Sequence, residues 1–269
     1  MTYKTSILKM QNSTIGWTDF THNFWTGCQK VSQGCKFCYM WRIYESQGRN
    51  PKVVMRNEKG FYAPTGKFNP LMIFTNSMSD FFIKEADQWR AEAWKVIKET
   101  PWHTWQILTK RPERIAQCLP GDWENGYPNV WLGVSVEDQG SFHRVKTLSK
   151  IPASLRFISA EPLLEEVDLL VKSEDGSRPI DSISWVITGG ETGYDFGNYR
   201  YRECKLAWLY RIVKDIKEQT NAAVFVKQLG TFLARKHQIL GNKADDIATF
   251  PKYLQVQEIP DLQRKVVML

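Results

Sequence analysis

No apolar run in this chain approaches the roughly 20 residues that a bilayer-spanning helix needs, which argues against a membrane protein of helical type. No secretory apolar segment opens the sequence, and cysteine is sparse, at 5 in 269 residues. Both point to a reducing cytoplasm and away from a disulfide framework. There is no repeat with a period of roughly 20–50 residues, which sets aside solenoids and propellers. Low-complexity tracts are also missing. What is present is an ordinary globular composition, 42% hydrophobic, enough for a sizeable core. The length suits one barrel-type domain or two small ones.

Acidic residues are outnumbered, 29 Asp+Glu against 36 Lys+Arg, and the distribution says more than the net +7. Residues 1–70 carry 10 basic and 3 acidic side chains, and residues 199–237 carry 9 and 3. Residues 71–198 carry 13 and 19. If the two basic ends meet in space they form one basic face, suited to a polyanion such as nucleic acid. The aromatics Phe61, Tyr62, Tyr199 and Tyr201 lie among Arg56, Lys67, Arg200 and Arg202, a mixture that suits stacking on unpaired bases. A solvated basic surface with ordinary loop anchors is the plainer reading.

Three of the five cysteines, Cys28, Cys35 and Cys38, fall within eleven residues in the run CQKVSQGCKFCYM. Three thiolates can hold an iron–sulfur cluster and leave one iron free for another ligand. A zinc site with His22 as fourth ligand, or a disulfide with a spare thiol, would use the same residues. Cys118 and Cys204 stand alone and read as small buried hydrophobes.

Apolar, β-rich runs recur at 24–27, 71–75, 104–109, 130–134, 155–159, 184–188 and 223–227. Helical patterns at 86–99, 112–118, 139–150 and 205–219 alternate with them. This alternation predicts an α/β fold, a partial (β/α) barrel of about six to seven parallel strands. The core is expected over 15–230 of a single domain spanning 1–269, with a polar loop insertion at 47–70 and a C-terminal extension at 231–269. Each strand ends in small or ionisable residues: Asn76-Ser77, Lys110, Ser135 with Glu137, Glu161, Gly189-Gly190-Glu191, and Lys227. In parallel α/β folds ligands bind at the carboxyl ends of strands. Gly189 and Gly190 either let a ligand approach the backbone or make a turn. Asp80 reads as a helix cap beside core residues Phe81 and Phe82.

Seven runs, TGCxxVSxGCxxCY, FTNSMSDFF, LTKRPERI, WLGVSVED, ISAEPLL, WVITGGETG and VFVKQLG, occur in order over roughly 15–230. Together they resemble a bacterial and phage-encoded family of radical-S-adenosylmethionine-like proteins with a three-cysteine motif. The C-x6-C-x2-C spacing departs from the C-x3-C-x2-C loop usual in radical S-adenosylmethionine (SAM) enzymes. The resemblance implies a [4Fe–4S] cluster on Cys28, Cys35 and Cys38, with SAM chelating the free iron. Reductive cleavage would then yield a 5′-deoxyadenosyl radical, the electron coming from a flavodoxin- or ferredoxin-like donor. On that reading Phe37 packs on the adenine, Asn76 and Ser77 hold the SAM amino group, and Ser135 and Glu137 bind the ribose. Gly189 and Gly190 complete the cofactor site. Lys110 pairs with the SAM carboxylate or a substrate phosphate, and Glu161, Glu191 and Lys227 are left for the substrate. A nucleic acid or nucleotide substrate is expected, for base modification or repair, with a partner protein possible. A small-molecule substrate, or a non-catalytic zinc or cluster module that binds nucleic acid, are the alternatives.

Overall fold

The computed structural model describes residues 13–260. Seven strands form one sheet, and every pairing in it is parallel. They are β1 (Phe20–His22), β4 (Met72–Thr75), β5 (Thr104–Thr109), β6 (Val130–Ser135), β7 (Leu155–Ala160), β8 (Trp185–Gly189) and β9 (Ala223–Gln228). They lie side by side in that order and curve into a half-barrel with helices on the outside. The predicted α/β partial barrel is therefore the fold. Among the described residues no helix is long and apolar enough to cross a membrane.

Alternation along each strand builds two cores. Inward-facing Trp131, Leu155, Phe157, Trp185, Ile187 and Phe225 fill the half-barrel. Trp17, just before β1, plugs it: its ring lies 4.7 Å from Phe74 and 6.0 Å, edge-on, from Trp185. Such aromatic pairs contribute about 0.5–1.5 kcal/mol each beyond the area they bury. Gly133 makes room for Phe157, whose ring would lie 2.4 Å from a Cβ there. The outward residues, such as Ile73, Trp105 and Val186, pack against the amphipathic helices α2 (Asp87–Lys98) and α5 (Leu206–Gln219). Phe81 and Phe82 are fully buried in this layer, as expected.

Two sequence expectations change. The run 24–27 is not the first barrel strand. That role falls to β1, a three-residue edge strand whose FTH sequence carries no apolar run to reveal it. Trp25–Thr26 (β2) instead pairs antiparallel with Met55–Arg56 (β3). The 47–70 segment is thus a short ribbon partner with a 3₁₀ turn at Ala63–Gly66, too brief for pattern reading. Two of the predicted helices also open in 3₁₀ turns, before α3 (Ile115–Cys118) and α4 (His143–Leu148). In the 231–269 extension, helix α6 (Thr231–Lys236) follows β9, and Gln257 bridges back to Phe225. Residues 261–269 lie outside the described part.

Candidate active site

The strand carboxyl ends open on a cleft of about 240 Å³, roofed by the loop that carries the cysteines. The loop starts where Gly27 (φ +90°) turns against the 51–54 segment; a Cβ there would meet the Val53 carbonyl at 2.1 Å. Cys28 N–H then donates to the Pro51 carbonyl at 2.9 Å. The loop ends in helix α1 (Tyr39–Ser46), whose Tyr39 hydroxyl donates to the Ser77 carbonyl at 2.6 Å. Cys28, Cys35 and Cys38 all line the cleft, and all five cysteines are free thiols. Burial pushes the Cys28 thiol up to about 12, with Asp80 adding and Arg111 opposing, and burial likewise raises Cys38. Neither ionises unaided near neutrality, so a metal centre bound here would displace their protons.

Three ionic ties hold the loop. First, Asp80 accepts from the Thr109 hydroxyl (2.7 Å), the Lys110 N–H (3.0 Å) and the Arg111 guanidinium (3.0 Å). Arg111 in turn donates to the Gln29 carbonyl at 2.7 Å and lies 3.9 Å from Cys28 Sγ. Second, the fully buried Glu137 accepts from Ser32 Oγ at 2.7 Å, while Lys110 Nζ and Arg144 each lie 2.6 Å from its carboxylate. Burial alone would raise its pKa; the two cations and Ser32 instead hold it well below the usual carboxylate range. Third, Glu191 takes a bidentate grip from Arg202 (2.8 and 2.5 Å), and Arg202 donates to the Gln33 carbonyl at 3.0 Å. The same guanidinium lies 5.3 Å over the Phe37 ring. Gly34 completes the fit, because a Cβ there would meet Glu137 Oε1 at 2.4 Å.

The strand-end residues therefore divide. Lys110, Glu137 and Glu191 each take part in a tie to the loop. Lys110 and Glu191 also line the cleft, whereas Glu137 is fully buried beneath the loop, which corrects the expectation that it meets the SAM ribose. A buried carboxylate survives only where its charge is matched, and Glu137 is fully matched by loop and helix groups. Glu137 and Gly189 do not line the cleft. The glycine pair serves the backbone: a Cβ on Gly190 would meet the Leu229 carbonyl at 2.2 Å, and one on Gly189 the Gln228 carbonyl at 3.1 Å. Phe37, Asn76, Ser77, Ser135, Glu161, Gly190 and Lys227 do line the cleft. Asn76 sits at φ +58°, and its Oδ1 accepts from Phe24 N–H. Its buried Nδ2 has no partner among the described residues.

Among the described residues no three His, Cys, Asp or Glu side chains are disposed to hold a single metal ion. His22 is no fourth ligand: it faces the outer layer, 4.4 Å edge-on from Phe24, and burial lowers its pKa to about 4. A four-iron cluster makes a different demand. Each thiolate takes its own iron, so the thiols need to line one cavity rather than meet at a point. The donor set here, three thiols on one cleft with a guanidinium beside Cys28, fits that demand.

Arg111, Arg144, Arg202, Ser32 and Ser159 complete the site, and none was singled out for it by sequence. The RP following Lys110, and the Arg in YRE, carried the only available signal, a cation beside an assigned residue. Cys204 is buried as expected, but Cys118 is only partly so, with its sulfur 3.3 Å from Arg90. The two basic ends do meet, where Arg202 reaches Gln33. The proposed stacking set is smaller than expected. Phe61 is core beneath Arg56, which is itself held by Glu58 and Glu92, and the Tyr201 hydroxyl donates to Asp195.

No curated protein and no solved structure matches the chain. A family model does, over residues 12–253, and it spans the whole half-barrel and every cleft residue named above. The chain therefore belongs to the family described as "Protein of unknown function (DUF5131)".

Proposed function

We propose that the chain is a radical SAM enzyme, acting in the cytoplasm on a nucleic acid or nucleotide to modify or repair a base. One observation carries the reading: three free thiols line a single cleft at the carboxyl end of a parallel half-barrel, on a loop tied down by buried ion pairs. Cys28, Cys35 and Cys38 would hold a [4Fe–4S] cluster. Such a cluster, when bound with SAM and reduced by a flavodoxin- or ferredoxin-like donor, supplies the electron that opens the S–C5′ bond. The chain's own part is orientation and exclusion of water. Arg111 offsets negative charge at Cys28, and Glu137 and Arg202 keep the loop in place. Asn76 Nδ2 and the hydroxyls of Ser77 and Ser135 offer hydrogen bonds to SAM from the wall, with Phe37 as an apolar face.

Anaerobic reconstitution with iron and sulfide tests this. The expected result is a brown protein that forms 5′-deoxyadenosine from SAM under reducing conditions, faster when its nucleic acid or nucleotide substrate is present. A colourless protein with one bound zinc, or no 5′-deoxyadenosine at all, overturns it. The nucleic-acid part has its own test, because phosphate contacts release counterions. Affinity for short single strands, read by fluorescence anisotropy, should fall steeply between about 50 and 200 mM salt. No binding at the lower salt to any DNA or RNA would shift the substrate to a free nucleotide or another small molecule.

A further inference from the structure

The cleft has one polar wall that the loop ties do not use. Glu161 follows β7 and Lys227 lies on β9, and they meet across β8 with carboxylate and ammonium 2.6 Å apart. Both line the cleft and keep some exposure, 14% and 21% of the side chain. Each is the other's only hydrogen-bond or ion-pair partner among the described residues, so one carboxylate oxygen and two ammonium N–H groups remain unused. Beside them, Ser135 and Ser159 are neighbours in the β6–β7 register, 3% and 2% exposed. Both line the cleft, and neither hydroxyl has a hydrogen-bond partner among the described residues. Ser135 and the buried, unpartnered Asn76 Nδ2 belong to the groups offered to SAM above, which leaves the Ser159 hydroxyl with the pair. The unused carboxylate oxygen, the two ammonium N–H groups and the Ser159 hydroxyl all face the cleft, and convergent polar groups on an otherwise apolar pocket are what orient a ligand.

We infer that this wall is a nucleobase seat, entered base first, at which Glu161 and Lys227 read the Watson–Crick edge of guanine. The inference rests on the nucleotide substrate class proposed above and makes it specific. Charge decides which end of a nucleotide goes in. The ammonium of Lys227 is already neutralised by Glu161, so a phosphate entering here would face an uncompensated carboxylate oxygen. A neutral group with adjacent donors and acceptor meets no such penalty. Cations stand outside: Lys36, 5.2 Å over the ring of cleft-lining Phe37, and Arg200, which shares Asp195 with Arg235, are both exposed. Phosphates therefore stay at the rim while the ring lies against the apolar lining of Trp17, Phe74 and Leu108.

Edge chemistry decides which base. Guanine presents two adjacent N–H donors, N1 and N2, and an adjacent acceptor, O6. The donors suit the carboxylate and O6 suits the ammonium, as when an extruded base is read by its Watson–Crick edge. Adenine and cytosine offer only one donor position beside the acceptor, and uracil sets its one donor between two acceptors. Sites that hydrogen-bond a polar group reject analogues lacking it strongly, because their own buried groups are left unpaired.

Calorimetric titration with GMP, IMP, AMP, CMP and UMP, on the full chain without cluster or SAM, tests the seat. GMP should bind about tenfold or more tighter than AMP or CMP, with IMP between. Guanosine should bind within a few-fold of GMP, and that gap should close as salt is raised. Glu161→Gln and Lys227→Met should each weaken GMP about tenfold or more and flatten the order. Equal affinity for all five nucleotides, no nucleotide binding, or unchanged GMP affinity in both variants overturns the inference. Displacement of GMP by pyrophosphate with no loss in Glu161→Gln overturns it in favour of phosphate-first entry. If a variant does not fold, the base series on the natural chain decides alone. None of these readouts needs 5′-deoxyadenosine, so failure of the seat and failure of the radical reading are told apart.

Discussion

Alanine at Cys28, Cys35 or Cys38 is expected to abolish retention of iron and sulfide, whereas alanine at Cys118 or Cys204 leaves both in place. The three form a set because they share one cleft and one loop. Removing any thiol leaves an iron without a protein ligand, and three is already the fewest that hold the cluster while leaving one iron open. Cys204 is packed in the layer between sheet and helices, and Cys118 sits at the end of α3 beside Arg90 and Arg114. Neither reaches the cleft. Iron and sulfide analysis of the five single variants decides it. Equal loss in Cys118→Ala or Cys204→Ala would mean that the ligand set is wrong.

Replacing Glu137 with Ala is expected to be the most destabilising change at the site, by about 3–5 kcal/mol, the usual cost of breaking a buried ion pair from one side. It strands Lys110, Arg144 and Ser32 together and unties the cysteine loop. Limited proteolysis should then cut within 29–37, and affinity for SAM should fall through loss of loop position rather than loss of a contact. Gly34→Ala presses on the same carboxylate from the loop side and should loosen the loop similarly, by about 1–3 kcal/mol as overpacking does.

The charge on Glu137 also sets a pH dependence. Its folded pKa is depressed from the ordinary 4.5, so below that pH the unfolded chain takes up the proton first. Stability from this group is therefore whole above about pH 4.5 and drains away as pH falls below it. Urea midpoints for natural chain and Glu137→Gln, measured from about pH 6 to pH 3, should converge on the acid side. A constant gap across that range would show that the carboxylate charge is not what holds the loop.

How much of this was readable without coordinates follows from the range of each interaction. Strands β4 to β9 announce themselves as continuous apolar runs, because a parallel sheet covered on both faces tolerates little else. β1 does not, since three residues at a sheet edge carry too few apolar positions to register. The cysteine triplet is local in sequence and was visible at once. So was the rule that small and ionisable residues cap every strand. What those residues do was not visible. Glu137 lies 105 positions from Ser32, and Arg202 lies 169 from Gln33. Spacing carries no trace of such pairings.

The alternation of strands and helices, the clustering of three cysteines and the division into two basic ends around an acidic middle are properties of the sequence by itself. They depend on hydrophobic period, turn residues and composition, all of which act over a few neighbours. Only the tertiary structure separated the charges that clamp the loop from the pair left facing the cleft. A buried charge is stable only beside its counter-charge, and which counter-charge arrives is settled by where the chain returns after a hundred residues or more. Lys110 and Lys227 both follow an apolar run; one meets the buried Glu137 beneath the loop, the other meets Glu161 on the open wall.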